Sequence, residues 1–130
     1  MQAEPIPTGY RTITPYFVCK DAKRLIEFLK TAFDARERYC QVADGGRIAH
    51  AEYVIGDTVV MLGEGREPFK AMHAALYLMV DDCDASYQRA LAAGAKSIRE
   101  PADQEYGARS AGVIDPGGNE WWLATHVAKK

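Results

Sequence analysis

The chain repeats its own pattern, and that repeat constrains its fold more than any other feature. Asp21 and Asp82 stand 61 residues apart, each ahead of a helical stretch, while Gly56-Asp57 and Gly118-Asn119 stand 62 apart, each ahead of a closing strand. Each half reads as a strand, a helix and three short strands. A unit of about 60 residues buries too little apolar surface to stand alone, so two such units are expected to pack side by side. Their curved sheets are expected to enclose a cleft. The organisation is one domain over 1–130: a module at 11–63, a linker at 64–72 and a module at 73–127.

The local signals agree with that division. Residues 1–10 carry Pro5, Pro7 and Gly9 and read as a loosely ordered lead-in. Ile13–Cys19 is β-branched and aromatic, a strand with Pro15 at an edge or bulge. Asp21 suits the N-cap of a helix over 22–33, where Leu25, Ile26, Leu29, Ala32 and Phe33 share one face. Strands follow at 37–42, 48–55 and 58–62, the first two joined through Asp44-Gly45-Gly46. Gly63 to Pro68 is the best linker. The second half has strands at 74–80, 96–99, 108–114 and 120–125. Its helix is capped by Asp82 or Asp84 and ended by Gly94.

Composition narrows the function. With 16 basic against 18 acidic residues, the formal net charge is −2, which argues against a nucleic-acid or anionic-membrane surface. No apolar run is long enough for a membrane span, and no secretory signal is visible. Cys19, Cys40 and Cys83 are odd in number and widely spaced, which points to reduced thiols and a cytoplasmic setting. Serine-nucleophile, P-loop and dinucleotide signatures are missing; Gly63-Glu64-Gly65 lacks the third glycine and the capped helix.

An ordered set of motifs then carries a family resemblance: Thr14-Pro15-Tyr16-Phe17-Val18-Cys19-Lys20-Asp21, Phe28 to Ala35, His50-Ala51-Glu52, Tyr77 to Asp82, Ala92-Ala93-Gly94-Ala95, Tyr106-Gly107-Ala108-Arg109, and Asp115 to Trp122. The chain resembles the glyoxalase/bleomycin-resistance/extradiol-dioxygenase superfamily, the vicinal oxygen chelate proteins, and within it the PhnB-like branch. The resemblance spans about 11–127. It implies an α+β fold in which two βαβββ modules form a cup-shaped mixed sheet. Leu29 and Asp34 depart from the family's usual Tyr and Gly, and Asp34 is expected to keep the turn because Asp tolerates left-handed backbone.

Enzymes of that superfamily commonly hold a divalent metal through His and Glu ligands, two from each module. Carried over one at a time, those positions fall on Thr14, on Val60 or Met61, near Ala75 with His73 two residues away, and on Trp122. One imidazole does not hold a catalytic zinc, which takes about three protein ligands. The expectation is no metal and no cofactor. A rescue site from His50, Glu52 and His73 is the alternative.

Other candidates each have two readings. His50 and Glu52, two apart on a strand, share a face and form either an acid–base pair lining the cleft or a solvated pair. Arg109 offers five fixed donors to an anionic ligand, or bridges to Asp103 or Glu105. Trp122 either fills the vacated ligand position with a stacking indole or packs in the core. Tyr16, Phe69, Tyr77 and Tyr106 extend the ligand-binding set. Cys19 and Cys83 read as small buried hydrophobes.

The expected function is metal-free binding of a small aromatic or antibiotic-like molecule, by a chain that forms a homodimer. The alternative is a glyoxalase-type lyase, isomerase or oxygenase, using a non-standard metal site or His50/Glu52 acid–base chemistry. A third reading is an interaction protein whose cup builds a dimer.

Overall fold

Strand β1 (Tyr16–Cys19) leads into helix α1 (Ala22–Phe33) and strands β2 (Arg36–Val42), β3 (Ile48–Ile55) and β4 (Thr58–Glu64). The same order returns as β5 (Ala75–Met79), α2 (Cys83–Ala92), β6 (Lys96–Gln104), β7 (Ala108–Ile114) and β8 (Glu120–His126). This is a computed structural model, and it describes residues 4–127. The strands form two four-stranded mixed sheets, ordered β1-β4-β3-β2 and β5-β8-β7-β6. β1 pairs with β4 in parallel, as β5 does with β8, and the other pairs are antiparallel. The α+β fold of two βαβββ modules is therefore the one expected.

Side-chain chemistry at the helix ends explains where the helices start and stop. The Asp21 carboxylate accepts the Arg24 N–H at 3.2 Å, and Asp82 accepts that of Ala85 at 3.1 Å, so each caps a helix. Of the two candidate caps for α2, Asp82 holds the place. Asp34 ends α1 at φ 55°, the left-handed turn expected of it. Leu25 and Leu29 of α1 are fully buried, and truncating either to alanine would cost about 2–5 kcal/mol.

One core serves both modules. Phe17, Ala51, Tyr53 and Leu62 of the first sheet belong to the same buried cluster as Ala111, Val113, Trp121 and Leu123 of the second. Trp121 seals the join: its ring stacks on Phe17 at 5.7 Å and meets Phe33 at 4.8 Å. Asp115 accepts the Trp121 indole N–H at 2.8 Å, the backbone N–H of Gly117 and Asn119, and the Asn119 amide. The Asn119 side-chain carbonyl in turn accepts the Ala74 N–H at 2.9 Å. The Asp115-Pro-Gly-Gly-Asn119 motif is thus a structural knot between the β7–β8 turn and the start of β5.

Two strand boundaries depart clearly from expectation, and so does the lead-in. β1 begins at Tyr16 instead of Ile13: Pro15 has no N–H to donate to a ladder, although its carbonyl still accepts the Met61 N–H at 2.9 Å. β6 runs on to Gln104 through Pro101, which is tolerated because β6 is an edge strand. The lead-in is ordered where described: the Tyr10 hydroxyl reaches Glu52, and Arg38 donates to the Thr8 carbonyl at 3.0 Å. No helix among the described residues is long and apolar enough to cross a membrane.

Candidate functional site

The period-two geometry of the strands decides which side chains are free to act. Ala51, Tyr53 and Leu62 face the core, so His50, Glu52 and Met61 occupy the opposite face of the first sheet. The register aligns Tyr16, Met61, Glu52 and Tyr39 across β1, β4, β3 and β2 on that outer face. In the second sheet Ala111, Val113, Trp121 and Leu123 face the core. The corresponding outer row is Tyr77, Trp122, Gly112 and Arg99. Met61 and Trp122 are therefore equivalent by position in the two modules, and Val60 is excluded because it is buried in the core.

On the first sheet the polar groups form a connected array. The His50 Nε2 lies 2.9 Å from Glu52 Oε2, and the Tyr16 hydroxyl lies 3.3 Å from His50 Nδ1. An ionised carboxylate only accepts, so Nε2 donates to Glu52, and in the tautomer that leaves Nδ1 without a proton, that nitrogen accepts from Tyr16. The Tyr10 hydroxyl donates to the second Glu52 oxygen, and the Arg38 guanidinium stands 3.9 Å from it. The Tyr10 hydrogen bond, helped by His50 and Arg38, holds the Glu52 carboxyl below the usual range despite burial. The same bond pushes the Tyr10 hydroxyl up. Arg38 also stacks over the Tyr10 ring at 4.7 Å. Tyr10 and Arg38 were missing from the sequence reading. Tyr10 lies 42 residues from its partner, and Arg38 sits at a β2 bulge that disturbs alternation.

On the second sheet an indole lies flat on a glycine. A Cβ at Gly112 would come within 2.6 Å of the Trp122 ring. Arg99 covers the same indole at 5.1 Å and donates to the Ser110 hydroxyl at 2.9 Å. Trp122 is partly exposed, in contrast with the buried Trp121 beside it. Tyr77 neighbours it on β5; burial and a hydrogen bond with Tyr106 push the Tyr77 hydroxyl up.

Other named residues lie elsewhere. Arg109 is on the core-side register of β7, where Asp84 takes two of its donors at 2.8 and 3.0 Å and Asp103 a third at 3.2 Å. That pairing lowers the Asp84 carboxyl and raises the guanidinium. Phe69 is exposed in the linker, bridged to Arg66. Cys19 and Cys83 are buried, and burial first, then nearby carboxylates, pushes the Cys19 thiol to about 11. The hydrogen bonds and ring contacts of His50 and Glu52 stay within the first module and the lead-in residue Tyr10, and those of Trp122 within the second module.

The donor set does not fit the metal that the resemblance would place here. Thr14, Met61, Ala75 and Trp122 offer a hydroxyl, a thioether, a methyl and an indole, whereas a divalent ion of this kind needs imidazole or carboxylate lone pairs. His73 packs over Gly118, where a Cβ would meet its ring at 2.6 Å. Among the described residues no three His, Cys, Asp or Glu side chains gather as a metal site.

The comparisons with known proteins agree with this architecture. Residues 12–123 match the model of the Glyoxalase/Bleomycin resistance protein/Dioxygenase superfamily. The uncharacterized protein Mb0911c of Mycobacterium bovis is 34% identical over 126 residues, covering 88% of this chain and 83% of that protein. TioX from Micromonospora sp. ML1 superposes with a TM-score of 0.77 at 26% identity, over 90% of this chain and 99% of TioX. The fosfomycin resistance protein FosX from Mesorhizobium loti superposes at 0.66 with 24% identity, over 90% and 92% of the two chains, a likeness of fold. The PhnB protein from Bacillus cereus does so at 0.70 with 18% identity, over 88% and 99%, again a likeness of fold.

Proposed function

The chain belongs to the glyoxalase/bleomycin resistance protein/dioxygenase superfamily, and on that premise we propose that it binds a small, flat aromatic molecule without a metal ion. The observation that carries this reading is the Trp122 indole, laid on Gly112 at a position where the family resemblance puts a metal ligand. A partly exposed indole backed by glycine, with the Arg99 guanidinium over its ring, gives a planar ligand an aromatic surface that carries a cation. Met61 adds a polarizable thioether at the equivalent position of the other module.

The acting unit in this proposal is a homodimer in the cytoplasm. The exposed Tyr77 and Met79 on β5, which ends its sheet, supply apolar surface for a second copy, and the three free thiols suit a reducing compartment. Placement in the PhnB-like branch belongs to the same proposal.

A thermal-shift panel of planar aromatic compounds, with calorimetry on each hit, tests the binding reading. Trp122→Ala is expected to weaken a true ligand by about 1–3 kcal/mol, roughly 5- to 160-fold, while the protein stays folded. Unchanged affinity in that variant removes the stacking surface.

A second reading is favoured by the 2.9 Å contact between His50 and Glu52. A neutral imidazole oriented by a carboxylate is a competent proton acceptor, which gives the first sheet the means for metal-independent acid–base chemistry.

A further inference from the structure

We propose that Tyr16 is the proton-transfer residue of the first sheet, and that His50 and Glu52 act through it. This deepens the acid–base reading of that sheet and does not depend on the stacking surface at Trp122.

The geometry gives each group one role. Tyr16 is 46% exposed, so its hydroxyl can meet a ligand, whereas the His50 and Glu52 side chains are 27% and 13% exposed. The hydroxyl crosses β4 to His50 over Gly63, where a Cβ would lie 2.9 Å from it. Its ring tilts against the imidazole at 5.7 Å, and the Tyr39 ring lies 6.2 Å from the same imidazole. Behind His50, Glu52 is fixed by Tyr10 and by Arg38. A hydroxyl, an imidazole and an anchored carboxylate in series are the three parts of a relay in which the carboxylate orients the ring and stabilises its cation.

The step balances within the site. A ligand hydrogen passes to the Tyr16 oxygen as the hydroxyl's own proton passes to Nδ1 of His50. The electron pair of the broken bond stays on the ligand, and the imidazolium formed is paired with Glu52. The reverse transfer returns the proton. Phenols exchange protons well with acids of similar strength, so the ligand class is one bearing a phenolic hydroxyl or a C–H flanked by carbonyl groups.

An aryl sulfonyl fluoride that labels tyrosine tests the relay without a known ligand. The phenol oxygen attacks sulfur, fluoride leaves, and the proton goes to the acceptor, so the rate reads the acceptor's presence. Tyr39 and Tyr106 are 50% and 56% exposed and serve as internal comparators of equal access. Peptide mapping of the intact protein is expected to show Tyr16 labelled at least ten times faster than either. His50→Ala is expected to slow Tyr16 by about 100-fold, the scale of a lost general base, and free imidazole to restore it. Glu52→Gln is expected to slow it at least threefold with a native amide spectrum, and this variant decides the matter if His50→Ala does not fold. Labelling is read with no planar ligand present, so failure of the stacking proposal is seen separately. Tyr16 labelling at the comparators' rate, a folded His50→Ala not rescued by imidazole, or an unaffected Glu52→Gln would each overturn the relay.

Discussion

Gly112 and Trp122 act as one unit: the absence of a side chain on β7 is what lets the indole of β8 lie across the sheet, with its ring atoms 2.6–2.9 Å from where a Cβ would stand. The backbone at Gly112 is ordinary strand, so the requirement is for space and not for an unusual conformation. Gly112→Ala is expected to lift the indole off the sheet and to cost about 1–3 kcal/mol through overpacking. The variant should also lose ligand affinity as Trp122→Ala does. Chemical denaturation and indole fluorescence check both effects.

Asp115 is buried and accepts from two backbone N–H groups, the Asn119 amide and the Trp121 indole. Asp115→Ala strands those donors in the core. The expected loss is about 2–5 kcal/mol, read as a lower denaturant midpoint at unchanged slope.

Tyr10 is the largest influence holding the Glu52 carboxyl down, and the lowered state stabilises the fold at pH values above the ordinary carboxylate range. That contribution is lost as pH falls through the folded-state value, where Glu52 takes up a proton. Tyr10→Phe is expected to move the Glu52 titration upward, so the acid loss begins at a higher pH. Carbon-13 NMR of the Glu52 carboxyl across an acid titration measures it.

The N-caps offer a control on the fold. Asp21→Ala and Asp82→Ala each remove one accepted backbone N–H at a helix start. Each is expected to cost about 1 kcal/mol, additively because the sites are apart, by thermal unfolding.

Much of the fold was legible in the sequence because its signals are local. Asp21, Asp82 and Asp34 act on neighbours within a turn, and the repeat of about 61 residues carries the topology. Side-chain alternation also placed His50 with Glu52. The choice between Val60 and Met61 needed the actual register, since one residue's slip exchanges the faces of a strand. Tyr10 was illegible for a different reason: its proline-flanked segment has no periodic pattern, and its partner lies 42 residues on. Arg109, set among family motifs, proved to be held by Asp84 of α2, a pairing that only the packed helix brings about.

The central claim is that ligand binding here needs the indole and no metal ion. Its most direct test is calorimetry of the strongest aromatic hit against protein treated with a chelator and then freed of it. The expected result is one ligand per chain with the affinity of untreated protein. Binding that disappears after chelation and returns with a stoichiometric divalent ion would contradict the claim.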